Sequence, residues 1–288
     1  MHTNRPIRQI ITAHRQREGA GFVVRRPIPT HGLDQVDPFL LIDEMGPVVY
    51  PPDQAVGAPD HPHRGFETVT YILDGEFEHR DSMGNHGVLR SGDVQWMTAG
   101  AGVVHSETPT PAFRARGGRM HGFQLWVNLP AAQKWARPRY QDISAHRIPL
   151  VRSEDGHARG RIIAGHALGT EAVIDTHTPI TLHHWTLTPG ANLVLPVPPD
   201  QDAVLYVFKG DLETEGTVIQ EGQMVIYGPG EHIDLCGPTE SERADALLIA
   251  GAPIREPMVR MGPFVMNTRQ ELIEAYYDYQ AGRLGRIT

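Results

Sequence analysis

Two short histidine motifs hold the residues best suited to chemistry in this chain. His61-Pro62-His63 sets two imidazoles at positions i and i+2, followed by Glu67. In a strand such positions share a face, so both rings can turn toward one ion. His105-Ser106-Glu107 repeats that spacing with a nitrogen and an oxygen ligand. Between the motifs lie Gly92 and Thr98-Ala99-Gly100, whose glycines permit a tight turn before the second ligand strand. On neighbouring strands of a barrel the two pairs supply three imidazoles and one carboxylate, a donor set for a divalent transition metal. Surface-exposed histidine pairs are the competing account in a chain with 16 histidines.

Other motifs carry less. Gly19-Ala20-Gly21 and Gly100-Ala101-Gly102 lead into strand-like residues without a Gly-Lys-Ser/Thr or a following helix, which excludes nucleotide loops. Ser106 has no Gly-x-Ser-x-Gly elbow around it. Cys236, the one cysteine, excludes an internal disulfide framework and reads as a structural thiol.

The elements that must position the ligands are short strands. Gly21 to Arg26, Phe39 to Ile42, Thr68 to Leu73, Gly75 to Asp81, Val94 to Met97 and Gly122 to Asn128 are rich in β-branched and aromatic residues and are bounded by Gly, Pro, Asp or Asn. Pro130 to Arg147 mixes proline, arginine and glutamine and reads as a connection. Strands resume at Ile162, Ile180 to Thr188, Asp202 to Phe208, Met224 to Tyr227 and Ala246 to Ala250. Regular spacing without helical period predicts an all-β sandwich or barrel. The tail is the one clear helix: Thr268-Arg269-Gln270-Glu271 is a capping box, Leu272, Ala275, Tyr276 and Tyr279 share the packing face, and Gly282 can close the end.

The halves superpose as an internal duplication. Tyr71 to Phe77 matches Val207 to Leu212, and Gly92 to Gly100 matches Gly222 to Gly230. At these offsets His61, His63 and Glu67 stand opposite Pro196, Pro198 and Asp202, and His105 and Glu107 opposite Leu235 and Gly237. None of the ligand histidines recurs. His183-His184 cannot replace them, because adjacent strand residues face opposite sides.

Composition narrows the function classes. The chain has 288 residues, a net charge of −8 and two lysines, Lys134 and Lys209, so a phosphate-gripping surface and direct nucleic-acid binding are not expected. No apolar run reaches the ~18 residues of a membrane span. Met1 to Arg17 is polar and Arg-rich, unlike a secretory leader, so a cytoplasmic location is expected.

The stretches His61-Pro-His-Arg-Gly-Phe-Glu-Thr-Val-Thr-Tyr71 and Gly92 to Glu107 resemble the pirin family of the cupin superfamily. So do Asp37-Pro-Phe-Leu-Leu-Ile-Asp43 and Gly262-Pro-Phe-Val-Met-Asn-Thr268. The resemblance implies a bicupin of two stacked β-barrels with a C-terminal helix: residues 1–135 as a metal-binding N-terminal barrel, and 136–288 as a C-terminal barrel without ligands, plus the helix. It implies His61, His63, His105 and Glu107 as ligands of one divalent ion, with Glu67 left as a supporting or packing residue. Iron(II) is the ion it implies, although nickel, copper, manganese, cobalt or zinc suits the same donors. Bacterial pirins resemble quercetin 2,3-dioxygenases, which implies cleavage of a flavonol such as quercetin by dioxygen with loss of carbon monoxide, with Glu107 taking the flavonol proton. Phe66, Gln95 and Met97, with Trp96, flank the ligand strands as apolar walls of a substrate pocket or as ordinary core. The alternative within the same resemblance is an iron-binding, redox-responsive co-regulator that acts on a protein partner without turnover, or a dioxygenase whose substrate is another chelating enol.

Overall fold

The computed structural model describes residues 3–287; Met1, His2 and Thr288, the outer ends of the two expected domains, lie outside them. Strands dominate, as the turn-bounded β-branched runs require. They form two compact units, one built from residues 15–145 and 254–287 and the other from 3–14 and 146–253.

The first unit holds a seven-stranded sheet in the order Arg139–Ile143, Val94–Thr98, Phe66–Asp74, Gly118–Asn128, Phe39–Tyr50, Phe22–Ile28, His14–Glu18. Its second sheet is four-stranded: Ala58–His63, Val103–Pro109, Glu76–Asp81, His86–Arg90. The other unit repeats this order strand for strand. Its large sheet runs Ile7–Thr12, Gln223–Tyr227, Asp202–Lys209, Ala244–Gly251, Ile180–Leu187, Ala158–Ala164, Leu150–Arg152, and its small one Asn192–Pro196, His232–Cys236, Asp211–Thr214, Thr217–Gln220. The chain is a bicupin, and the duplication is visible in the pairing.

The division of the chain departs from a cut between 135 and 136. Arg139–Ile143, within the stretch expected to be a connection, is an edge strand paired with Val94–Thr98. The tail helix Arg269–Gln280 belongs with the first barrel's strands, while Ile7–Thr12 pairs with Gln223–Tyr227 of the second. The two strand corrections have one cause: an edge strand can be supplied by any segment, because its pairing partner and not its own composition makes it a strand.

The tail helix forms on the expected capping box, with Thr268 Oγ1 accepting from the Glu271 N–H at 3.2 Å and Glu271 Oε2 from the Thr268 N–H at 2.8 Å. It buries Leu272 and Ala275, although Tyr276 is 46% exposed. Gly282 closes the end as expected: it follows the cap residue Ala281 at φ +73° and donates to the Tyr279 carbonyl at 2.9 Å. A second, short helix, Pro111–Arg116, starts from the Thr110 hydroxyl with Pro111 in its first turn.

Strand ladders correct the superposition of the halves. His105 lies opposite His61 and Val103 opposite His63 in the first barrel; Leu235 lies opposite Leu193 and Ile233 opposite Leu195 in the second. His61 and His63 therefore correspond to Leu193 and Leu195, not to Pro196 and Pro198. The slip arises because the link to the next strand is residues 64–65 in one barrel and 197–201 in the other. Leu193, Leu195, Ile233 and Leu235 are all part of a continuous apolar core that also contains Trp185 and Leu205.

His183 faces that core. It is 2% exposed and neither ring nitrogen has a hydrogen-bond partner. Burial lowers its pKa to about 4, so unfolding at mildly acidic pH takes up a proton. The stability this contributes is complete above about pH 6.5 and is lost as pH falls toward 4. Urea unfolding across that window is expected to decline less steeply for His183→Leu than for the parent, by up to about 3 kcal/mol in total. Parallel declines would mean that His183 is not the group that charges.

Candidate metal centre

His61 and His63 lie on Ala58–His63, and His105 on the adjoining Val103–Pro109. Directly opposed residues of an antiparallel pair share a face, and strand alternation adds His63 to it, so three imidazoles converge inside the first barrel. Their ring centroids are 4.3 Å (His61–His105), 4.7 Å (His61–His63) and 4.9 Å (His63–His105) apart. One nitrogen of each lies within 4.8 Å of the others, and among the described residues this is the one such grouping of three or more ligand-type side chains.

The protons on these rings point to a cation. His61 Nδ1 sits 2.7 Å from the Pro59 carbonyl and His63 Nδ1 3.5 Å from that of Pro263, positions in which each ring donates outward. The two Nε2 atoms then face one another at 3.1 Å as lone pairs. Two nitrogens bound at right angles to one dication stand about 3.0 Å apart, so the spacing fits a shared ion. His105 is fully buried with both ring nitrogens unpartnered, and an unmet polar group of this kind costs about 1–3 kcal/mol unless something binds it. Burial drives His63 and His105 well below the ordinary imidazole pKa, which keeps them neutral and able to donate a lone pair.

Glu107 shares the His105 face of its strand, two residues on, but its carboxylate is outside the close nitrogen group. A bulge between His105 and Glu107 shifts the pairing with Ala58–His63. Instead, Thr70 Oγ1 donates to Glu107 Oε1 at 2.8 Å. Glu67 is 1% exposed and accepts from Thr98 Oγ1 at 2.6 Å, a packing position within the sheet.

A cavity of about 470 Å³ opens onto His61, His63 and Glu107, within the range of small-molecule sites. Its apolar wall is Phe22, Leu41, Met45, Phe77 and Trp126, and its polar rim includes Arg26, Asp43, Asp60 and Arg260. The expected pocket residues are elsewhere. Phe66 is sealed between Leu40, Val265 and Trp126; Gln95 donates to Asp142 at 2.9 Å; Met97 packs with Ala99, Val103 and Tyr140; Trp96 is fully buried. Each flanks a ligand strand along the chain, but lateral neighbours within the sheets, not sequence neighbours, furnish the cavity wall.

Three contributors were missed. Trp126 sits 5.1 Å from the His63 ring. The tail hairpin of Val259–Met261 and Phe264–Met266 brings Arg260, Gly262 and Pro263 to the cavity. His79, 2% exposed, stands opposite Glu107 across the ladder with its ring 5.3 Å from His105 and both nitrogens unpartnered. Alternation within Glu76–Asp81 was a signal sufficient to turn His79 inward; no local signal marked the other two.

Residues 21–127 match the family model described as pirin, and residues 182–285 the one described as the pirin C-terminal cupin domain. A pirin-like protein of Solanum lycopersicum is 42% identical over 96% of this chain and 91% of its own length. Human pirin is 37% identical over 99% of this chain and 96% of its own length. A crystal structure described as quercetin 2,3-dioxygenase from Acinetobacter baumannii superposes with a TM-score of 0.92 at 35% identity, covering 99% of this chain and 100% of that one.

Anaerobic loading followed by elemental analysis is expected to give close to one divalent ion per chain. A ratio of two would mean that the leucine-filled barrel also holds an ion. His63→Ala is expected to lower the ratio strongly while far-ultraviolet circular dichroism stays unchanged.

Proposed function

The chain belongs to the pirin family, and on that premise we propose that it is a metal-dependent dioxygenase that opens a flavonol such as quercetin. The observation that supports this most is the meeting of three imidazoles beside an apolar-walled cavity that the Glu107 carboxylate also lines. The similarity to the Acinetobacter enzyme over nearly the whole chain supports it independently.

In this reading His61, His63 and His105 hold the ion and Glu107 stands as the fourth ligand. Iron(II) is our assignment, since six-coordinate iron bound by four protein groups keeps two positions open. When bound, the ion supplies Lewis acidity at the enol oxygens and a redox partner for dioxygen.

The chain's own groups do the rest. Thr70 donates to Glu107 Oε1 and so orients the carboxylate, one oxygen of which would ligate the ion while the other accepts the enol proton as general base. Phe22, Met45, Phe77 and Trp126 offer flat and flexible apolar surface to a planar ring system and exclude water from the enolate. The Pro59 carbonyl fixes the His61 ring by accepting its Nδ1 proton, the outer-shell contact typical of a ligand imidazole.

Loss of flavonol absorbance with release of carbon monoxide, in iron-loaded against chelator-treated protein, tests the reading. Absence of turnover with every first-row divalent ion would remove it and leave the co-regulator reading. Glu107→Gln sharpens the test: at matched occupancy, turnover per bound ion is expected to fall ~10²–10⁴-fold. Equal turnover would leave Glu107 a ligand without a role in proton transfer.

A further inference from the structure

Arg260 is an unusual cation to find at the rim of a metal cavity. It extends from the hairpin strand Val259–Met261, and its guanidinium carbon lies 4.6 Å from the Trp126 ring centroid. The same indole is 5.1 Å from the His63 ring, so Arg260 and a proposed ligand touch one aromatic group. Its one hydrogen bond among the described residues is a long one, 3.5 Å, to the Leu40 carbonyl. Arg260 is exposed, so most of its five N–H donors face solvent rather than a protein partner.

The neighbouring charges do not neutralise it by contact. Arg26 engages Asp43 through two bonds of 2.6 and 2.5 Å and Glu18 through one of 2.8 Å, so those two carboxylates already serve another guanidinium. Asp60 is exposed to solvent, and Glu107 is tied to Thr70 at the cavity floor. Arg26 adds a second positive charge that repels Arg260, while Asp43 and Glu18 attract it through space without a hydrogen bond. Stacking on Trp126 keeps the guanidinium in place with its edge free, a posture suited to forked hydrogen bonding of a carboxylate or phenolate.

We propose that Arg260 is the anion-recognising residue of this cavity, selecting aromatic enols that carry a further acidic oxygen remote from the chelating pair. The inference rests on the flavonol reading above. His61, His63, Trp126 and Arg260 line one cavity, with Trp126 between His63 and the guanidinium, so an enol anchored at the imidazoles can present a distal carboxylate or acidic phenol to Arg260. An unsubstituted ring meets only the indole.

Binding measured without dioxygen, by quenching of tryptophan fluorescence, tests this without turnover. The probes are unsubstituted flavonol, a flavonol with a carboxylate on its pendant ring, and 2-naphthoate, which lacks a chelating pair. The metal-loaded parent is expected to prefer the carboxylated flavonol, and Arg260→Gln to weaken that ligand about tenfold or more while leaving the unsubstituted one within about twofold. Arg260→Lys is expected to restore part of the preference, and circular dichroism checks that both variants fold. Equal weakening of both flavonols would reduce Arg260 to a prop for Trp126 and overturn the proposal. So would a parent with no preference, or a preference that survives Arg260→Gln. If the parent binds neither flavonol, the flavonol reading falls. Arg260-dependent binding of 2-naphthoate then sustains the anion site alone, and its absence removes that too.

Discussion

Two imidazole nitrogens that face each other at 3.1 Å cannot satisfy one another when both rings already donate on their far sides. The first barrel is arranged to keep this otherwise unfavourable meeting in place. Antiparallel register sets His105 opposite His61. The turn after His63 needs Gly65, whose φ is +88° and whose missing Cβ would lie 1.9 Å from the Val265 carbonyl. Lys134, 1% exposed, donates to the carbonyls of Gly65 and Val265 and to Asn128 Oδ1 at 2.8, 3.1 and 2.7 Å. Arg64 reaches Asp278 of the tail helix at 2.7 Å. These contacts hold the histidine strand and the tail hairpin as one piece, so the three imidazoles are positioned by the fold itself.

The second barrel shows what the first gives up. Where three histidines converge in one, Leu193, Leu195 and Leu235 fill the other, each fully or nearly buried. A buried leucine contributes about 2 kcal/mol by removal from water, whereas a buried imidazole without a partner costs stability. The duplicated fold thus divides its tasks: one copy invests in packing, and the other accepts unpaired polar groups and an open cavity. The strand order is common to both, so side-chain identity at three positions, not topology, separates a site from a core.

Much of this was legible in the chain. Period-two spacing placed His61, His63, His105 and Glu107 on inward faces, because alternation is a local property of any strand. The capping box likewise encodes its own helix end. What escaped depends on pairing. Arg139–Ile143 is polar enough to pass for a linker and becomes a strand only beside Val94–Thr98. Phe66, Gln95 and Met97 adjoin the ligand strands in sequence yet pack into the interior away from the cavity wall. Trp126 enters the wall through a strand two places along the sheet order from Val94–Thr98, and nothing around it in the chain announces that.

The hairpin that carries Pro263 and Arg260 is the extreme case, for the Pro263 carbonyl reaches His63 across a separation of 200 residues. Closing so long a loop costs entropy that grows only as the logarithm of its length. The intervening residues 146–253 form the bulk of the other unit with its own apolar core. Most of their conformational entropy is therefore lost to folding that barrel, not to closing the loop. This lets a segment from beyond the second barrel finish the cavity of the first. It also explains why these rim residues are not readable from the histidine motifs: they lie on a different stretch of chain.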